Sequence, residues 1–131
     1  MFELKNSLVL KKDKEKEILD IVINSYPLET AGKLGKEVLE YKNCKKSRGT
    51  VDVFDYDRGK VEFHSHPIYR KDGIVYDSLS QADIAEMDDG DIEVLVVLSN
   101  KKSVGGNPEK YRGFWYKINI FELKDNRIIK L

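Results

Sequence analysis

The chain predicts a mixed α/β or α+β sandwich built on one sheet, and three observations carry that expectation. The hydrophobic period switches between helical and strand-like spacing along the chain. Ile92 to Leu98 is apolar except for Glu93, as in a strand buried on both faces. The 131 residues contain no repeat, low-complexity tract or linker, so residues 1–131 read as a single domain.

Taken in order, residues 2–10 alternate loosely and read as a short strand. From Asp13, a possible N-cap, the period becomes helical. Ile18, Ile21, Val22 and Ser25 share one face, widened by Leu19, Ile23 and Tyr26, and Pro27 stops the helix. Small residues (Ala31, Gly32, Gly35) lead tightly into a strand that continues through Val38, Leu39 and Tyr41. Residues 42–49 read as a basic turn, Thr50 to Tyr56 as a strand, and Asp57-Arg58-Gly59 as a hairpin turn into Val61–His66. Ile68 to Asp77 is a polar loop. Ser78 or Ser80 opens a helix to about Met87, and Asp88-Asp89-Gly90-Asp91 is a turn before the apolar strand. After a loop over Lys101–Lys110, Tyr111–Phe121 and Ile128–Leu131 read as strands joined near Asp125-Asn126.

Composition narrows the function classes. The 23 basic and 23 acidic residues cancel, which gives no support to nucleic acid or an anionic membrane as partner. No apolar run nears the roughly 18 residues of a membrane span, and no signal-peptide core precedes Lys11. One cysteine, Cys44, excludes an intramolecular disulfide. The expectation is a soluble, cytoplasmic protein.

The chemistry concentrates at Phe63-His64-Ser65-His66-Pro67, which holds the only two histidines of the chain. On a strand, residues two apart share a face and lie about 6.6 Å apart at roughly 3.3 Å per residue, so both imidazoles can converge on one ion. A hydrolytic zinc site needs three protein ligands, an open position for water and a nearby base. Asp83 is the first candidate for the third ligand, and Glu29 or Glu62 for the base. Ser80, one helical turn before Asp83, faces the same side and can donate to an oxyanion.

These residues resemble a known pattern. His64-Ser65-His66-Pro67 with Ser80-Gln81-Ala82-Asp83 resembles the JAMM signature of the JAB/MPN/Mov34 metalloproteases, and Pro27-x-Glu29-x-x-Gly32-x-Leu34-x-Gly35 looks like that family's strand bearing the catalytic glutamate. The resemblance spans residues 14 to 121 or so. It implies a JAB/MPN fold, similar in outline to cytidine deaminase, with a central mixed sheet flanked by helices. It further implies Zn2+ held by His64, His66 and Asp83, Glu29 as general acid/base, and Ser80 as oxyanion donor. The activity implied is hydrolysis of isopeptide or peptide bonds, often next to the C-terminus of a ubiquitin-like or carrier protein. The spacer 67–79 is longer than the family's, so Asp72 and Asp77 stay open as alternatives to Asp83.

Each feature has a plainer reading. Ser80-x-x-Asp83 also forms a helix capping box. Glu62, alternating with Val61 and Phe63, reads as solvent-facing. Phe114, Trp115 and Tyr116 point to both faces of a strand and mostly fill the core. Two rival functions accompany the leading one: a non-catalytic MPN-type binding module, and a zinc hydrolase of a small amide. Substrate identity and oligomeric state stay open at this level.

Overall fold

The computed structural model describes residues 12–42, 44–46, 51–53, 60–67, 78–101, 104 and 107–131. The expected strand at 2–10, the loop 68–77 and the turn 57–59 lie outside these residues.

Helix α1 (Lys12–Ser25) buries Ile18, Leu19, Val22 and Ile23, the stripe read from the sequence. Asp13 is not its N-cap but lies inside the helix, in the first turn of the described span, where an acid suits the helix dipole. The single strand expected through Tyr41 is instead a hairpin of β1 (Ala31–Leu34) and β2 (Val38–Glu40), paired Leu34 to Val38. The chain reverses at Gly35, whose N–H donates to the Glu37 carbonyl at 3.1 Å. Part of the expected basic turn is also a strand. Here β3 (Cys44–Lys46) pairs antiparallel with β4 (Val51–Val53) in a separate ribbon.

Next come β5 (Val61–Pro67), the short helix α2 (Gln81–Ala85) and β6 (Ile92–Ser99). The strand expected over Tyr111–Phe121 divides into β7 (Glu109–Tyr111) and β8 (Phe114–Lys124), followed by β9 (Arg127–Lys130). Arg112 and Gly113 both have positive φ, 51° and 82°, which makes the two-residue reversal that separates β7 from β8. Asp125 and Asn126, at 52° and 62°, do the same between β8 and β9.

The seven-stranded sheet runs β2-β1-β5-β6-β8, with β7 and β9 sharing the far edge of β8. Only β5 and β6 are parallel among these pairs, so the chain must cross between them, and α2 lies on that crossover. Among the described residues the architecture is therefore a mixed α/β one, a largely antiparallel sheet with two helices.

Register divides the sheet into two unlike faces. Phe63, Val94, Val96, Leu98 and Tyr116 face α1 and pack with its four buried residues. Tyr116 and Tyr111 also donate hydroxyl hydrogen bonds to Glu15 and Asp20 of α1, at 3.0 and 3.1 Å. The opposite face carries Glu62, His64 and His66 beside Glu93, Leu95 and Val97, their partners in β6. Leu95, Val97, Val104 and Phe121 form a smaller apolar cluster there, with Trp115 against it. Phe114 and Tyr116 thus face the helix while Trp115 faces the histidine side.

Candidate metal centre

β5 brings the two histidines together because it is a regular strand: His64 and His66 lie on one side, both buried, with ring centroids 4.8 Å apart. Their Nε2 atoms are 3.1 Å apart. The Asp83 carboxylate reaches them from α2, with Oδ2 3.3 Å from His64 Nε2 and 3.4 Å from His66 Nε2. Three donor atoms therefore sit at the corners of a nearly equilateral triangle. Donors bound at about 2.0–2.1 Å to one tetrahedral ion stand about 3.3–3.4 Å from one another, so this triangle fits one face of such a site. Among the described residues, His64, His66 and Asp83 form a group able to hold a metal ion. The alternatives Asp72 and Asp77 lie outside those residues.

Asp83 owes its position to the start of α2. Ser80 is the N-cap, and its hydroxyl accepts from the Asp83 N–H at 3.0 Å. In return, Asp83 Oδ2 accepts from the Ser80 N–H at 2.8 Å. The structure shows the capping reading of Ser80-x-x-Asp83, and the same capping box aims the Asp83 carboxylate at the two histidines. Ser78 is not needed as the cap.

Glu29 lies just before β1. Ala31 pairs with His64, and Thr30 and Ser65 exchange hydrogen bonds at 3.0 Å, so continuing the register sets Glu29 beside His66 on the histidine face. Its carboxyl is buried. Burial, with some help from the Asp83 charge, raises its pKa against the pull of His66 and His64. A base that holds its proton somewhat above the usual carboxylate range suits proton transfer near neutral pH.

Gly32 shows why small residues precede this strand. It pairs with Phe63, whose ring lies over it, and a Cβ there would collide with that ring and with the Leu39 carbonyl oxygen.

Glu62 corrects an expectation. It is not solvent-facing but 7% exposed, and it accepts a hydrogen bond from the Tyr41 hydroxyl. Its place in the register, on the histidine face beside Glu93, explains the burial.

Glu93 is the residue that the sequence reading passed over. It is 7% exposed, and its Oε2 lies 2.6 Å from His64 Nδ1. The signal was present: an acid inside an apolar strand buried on both faces needs a partner, because an unpaired buried charge is costly.

Charge at the centre is tightly coupled. Burial works against a proton on His64, yet the Glu93 charge and the hydrogen bonds to Asp83 and Glu93 outweigh it and push its pKa up to about 10. Burial likewise opposes the Asp83 charge, but both histidines and the Ser80 N–H hold its carboxyl well below the usual range. In the absence of a metal ion, a proton on His64 supplies the positive charge that the cluster needs.

No described helix is long and apolar enough to cross a membrane. In comparisons with known proteins, no protein-family model matches the chain and no curated protein matches it.

Proposed function

We propose that this chain is a zinc-dependent hydrolase of the JAMM type, with a JAB/MPN-like sheet, that cleaves isopeptide or peptide bonds next to the C-terminus of a ubiquitin-like or carrier protein. The observation that carries the reading is the triangle of His64 Nε2, His66 Nε2 and Asp83 Oδ2, with sides of 3.1 to 3.4 Å. Two neutral imidazoles and one carboxylate leave a bound Zn2+ with net positive charge and a free position, the donor set of a catalytic rather than a structural site.

Zinc held there lowers the pKa of a bound water towards 7 and polarises a carbonyl. The protein's own groups do the rest. Glu29 accepts the proton from the attacking water at its carboxylate and delivers it to the departing amine nitrogen. The C–N bond breaks and the acid and amine leave separately. The Ser80 hydroxyl donates to the substrate oxyanion while its oxygen still caps α2. The apolar cluster of Leu95, Val97 and Phe121 on the same face lowers the local dielectric and strengthens these interactions.

The test combines metal content with activity. The protein is expected to bind one zinc ion per chain and to release a defined C-terminus from carrier-protein conjugates, identified by mass. Glu29→Gln is expected to keep the zinc and lose about 10²- to 10⁴-fold in rate, the usual contribution of a general acid/base. An undiminished rate in that variant removes Glu29 as the base. Failure of the parent to bind zinc tightly removes the hydrolase and leaves a docking module.

A further inference from the structure

The structure assigns Glu93 as a positioning residue for the metal centre: its carboxylate takes the Nδ1 proton of His64 in a hydrogen bond and so fixes the tautomer that presents Nε2 to the ion. The inference rests on the metal-centre reading and adds to it a part that the histidine-aspartate motif does not contain.

Three observations carry it. The His64 Nδ1 to Glu93 Oε2 distance is 2.6 Å, at the short end of a charge-assisted hydrogen bond. Both side chains are more than nine-tenths buried, so water does not compete for either. The bond is also diagonal in the sheet. His64 sits opposite Leu95 in the parallel register, and Glu93 reaches it from two pairs earlier, on the same face, where its own partner is Glu62. That offset places the carboxylate behind the ring, on the side away from His66 and Asp83. One nitrogen of His64 is thereby held by Glu93 while the other points at the donor triangle. A neutral imidazole has one N–H and one lone pair, so engaging Nδ1–H leaves Nε2 as the lone pair. Carboxylates placed in this way orient the ring and make the ligating nitrogen more basic.

The experiment compares zinc affinity in the parent, Glu93→Gln, Glu93→Leu and Glu62→Gln, by competition with a chromophoric chelator, with thermal melts to confirm folding. Glu93→Gln keeps the shape and a carbonyl acceptor but loses the charge, and is expected to weaken zinc binding about 10-fold. Glu93→Leu loses both, and is expected to approach 100-fold, the upper end for residues that support a ligand. Glu62→Gln removes the neighbouring buried charge, whose carboxylate accepts from the Tyr41 hydroxyl, and is expected to leave zinc affinity close to that of the parent. In zinc-loaded parent protein, long-range ¹H–¹⁵N spectra are expected to show His64 protonated at Nδ1 and unprotonated at Nε2.

Parent affinity in Glu93→Gln and Glu93→Leu overturns the assignment and leaves the hydrolase reading standing. Equal losses in Glu62→Gln and Glu93→Gln also overturn it, because buried charge alone then accounts for the effect. If Glu93→Leu does not fold, the isosteric glutamine variant and the His64 nitrogen shifts decide. A parent that binds no divalent metal ends both the assignment and the hydrolase.

Discussion

Asp83 performs two tasks with one carboxylate oxygen. Its Oδ2 accepts the Ser80 N–H at 2.8 Å and stands within 3.4 Å of both imidazoles. A helix cap is worth about 1 kcal/mol, and here it also fixes the direction in which the Asp83 carboxylate points. Ser80 is therefore difficult to interpret by simple deletion, since alanine removes the cap together with any catalytic hydroxyl. Glycine separates the two roles, because it costs only a few tenths of a kcal/mol at an N-cap. Ser80→Gly is expected to retain zinc at near-parent affinity and to lose about 10²-fold in rate, the scale of one oxyanion donor. Chelator competition and initial rates on one preparation check it. A rate within a few-fold of the parent would reduce Ser80 to a cap.

At the scale of elements, strong periodicity and the Asp125-Asn126 reversal were readable, and two other reversals were not. The stripe on α1 and the apolar run of β6 follow directly from residue spacing. The hairpins at Gly35 and at Arg112-Gly113 did not, because each interrupts a segment whose side chains suit one continuous strand. An arginine at φ 51° is also an unfavourable turn residue, so composition gave little warning. Glu62 and Glu93 were misread or passed over because pairing between strands, not alternation within one, decides what each faces. The small-residue stretch at Ala31-Gly32 was legible, and its reason is the ring of Phe63. Gly32→Ala drives a methyl group into that ring and into the Leu39 carbonyl, which belongs to backbone and yields little. A loss of about 1–3 kcal/mol is expected, seen as a lower urea midpoint with unchanged slope. Zinc affinity and rate should suffer with it, since β1 fixes Glu29 beside His66.

For the whole molecule, the sheet keeps its chemistry on one side. The face under α1 is sealed with aliphatic and aromatic side chains, and the other buries Glu29, Glu62, Glu93 and two imidazoles. Such a face needs positive charge, and on the proposed metal-centre reading the metal-free and zinc-loaded proteins would supply it differently. Without metal, the proton on His64 does so. Its pKa is about 10 in the folded chain against 6.5 as the ordinary value, so this stabilisation is complete below pH 6.5 and disappears as pH rises towards 10. Asp83 acts in the opposite sense. Its lowered pKa contributes stability above the ordinary 3.8 that is lost as pH falls below it. On that reading zinc would have to displace the His64 proton, so metal binding would strengthen with pH over the range in which the metal-free protein weakens. Thermal melts in chelator are therefore expected to show Tm falling from about pH 6.5 upwards, while the Tm gain on adding a fixed excess of free zinc widens. Binding should also release protons, measurable as a buffer-dependent heat. A metal-free Tm that is flat from pH 6.5 to 8.5, together with a zinc gain independent of pH, would mean that His64 carries no proton for the metal to displace, and that the buried acids find their balance elsewhere.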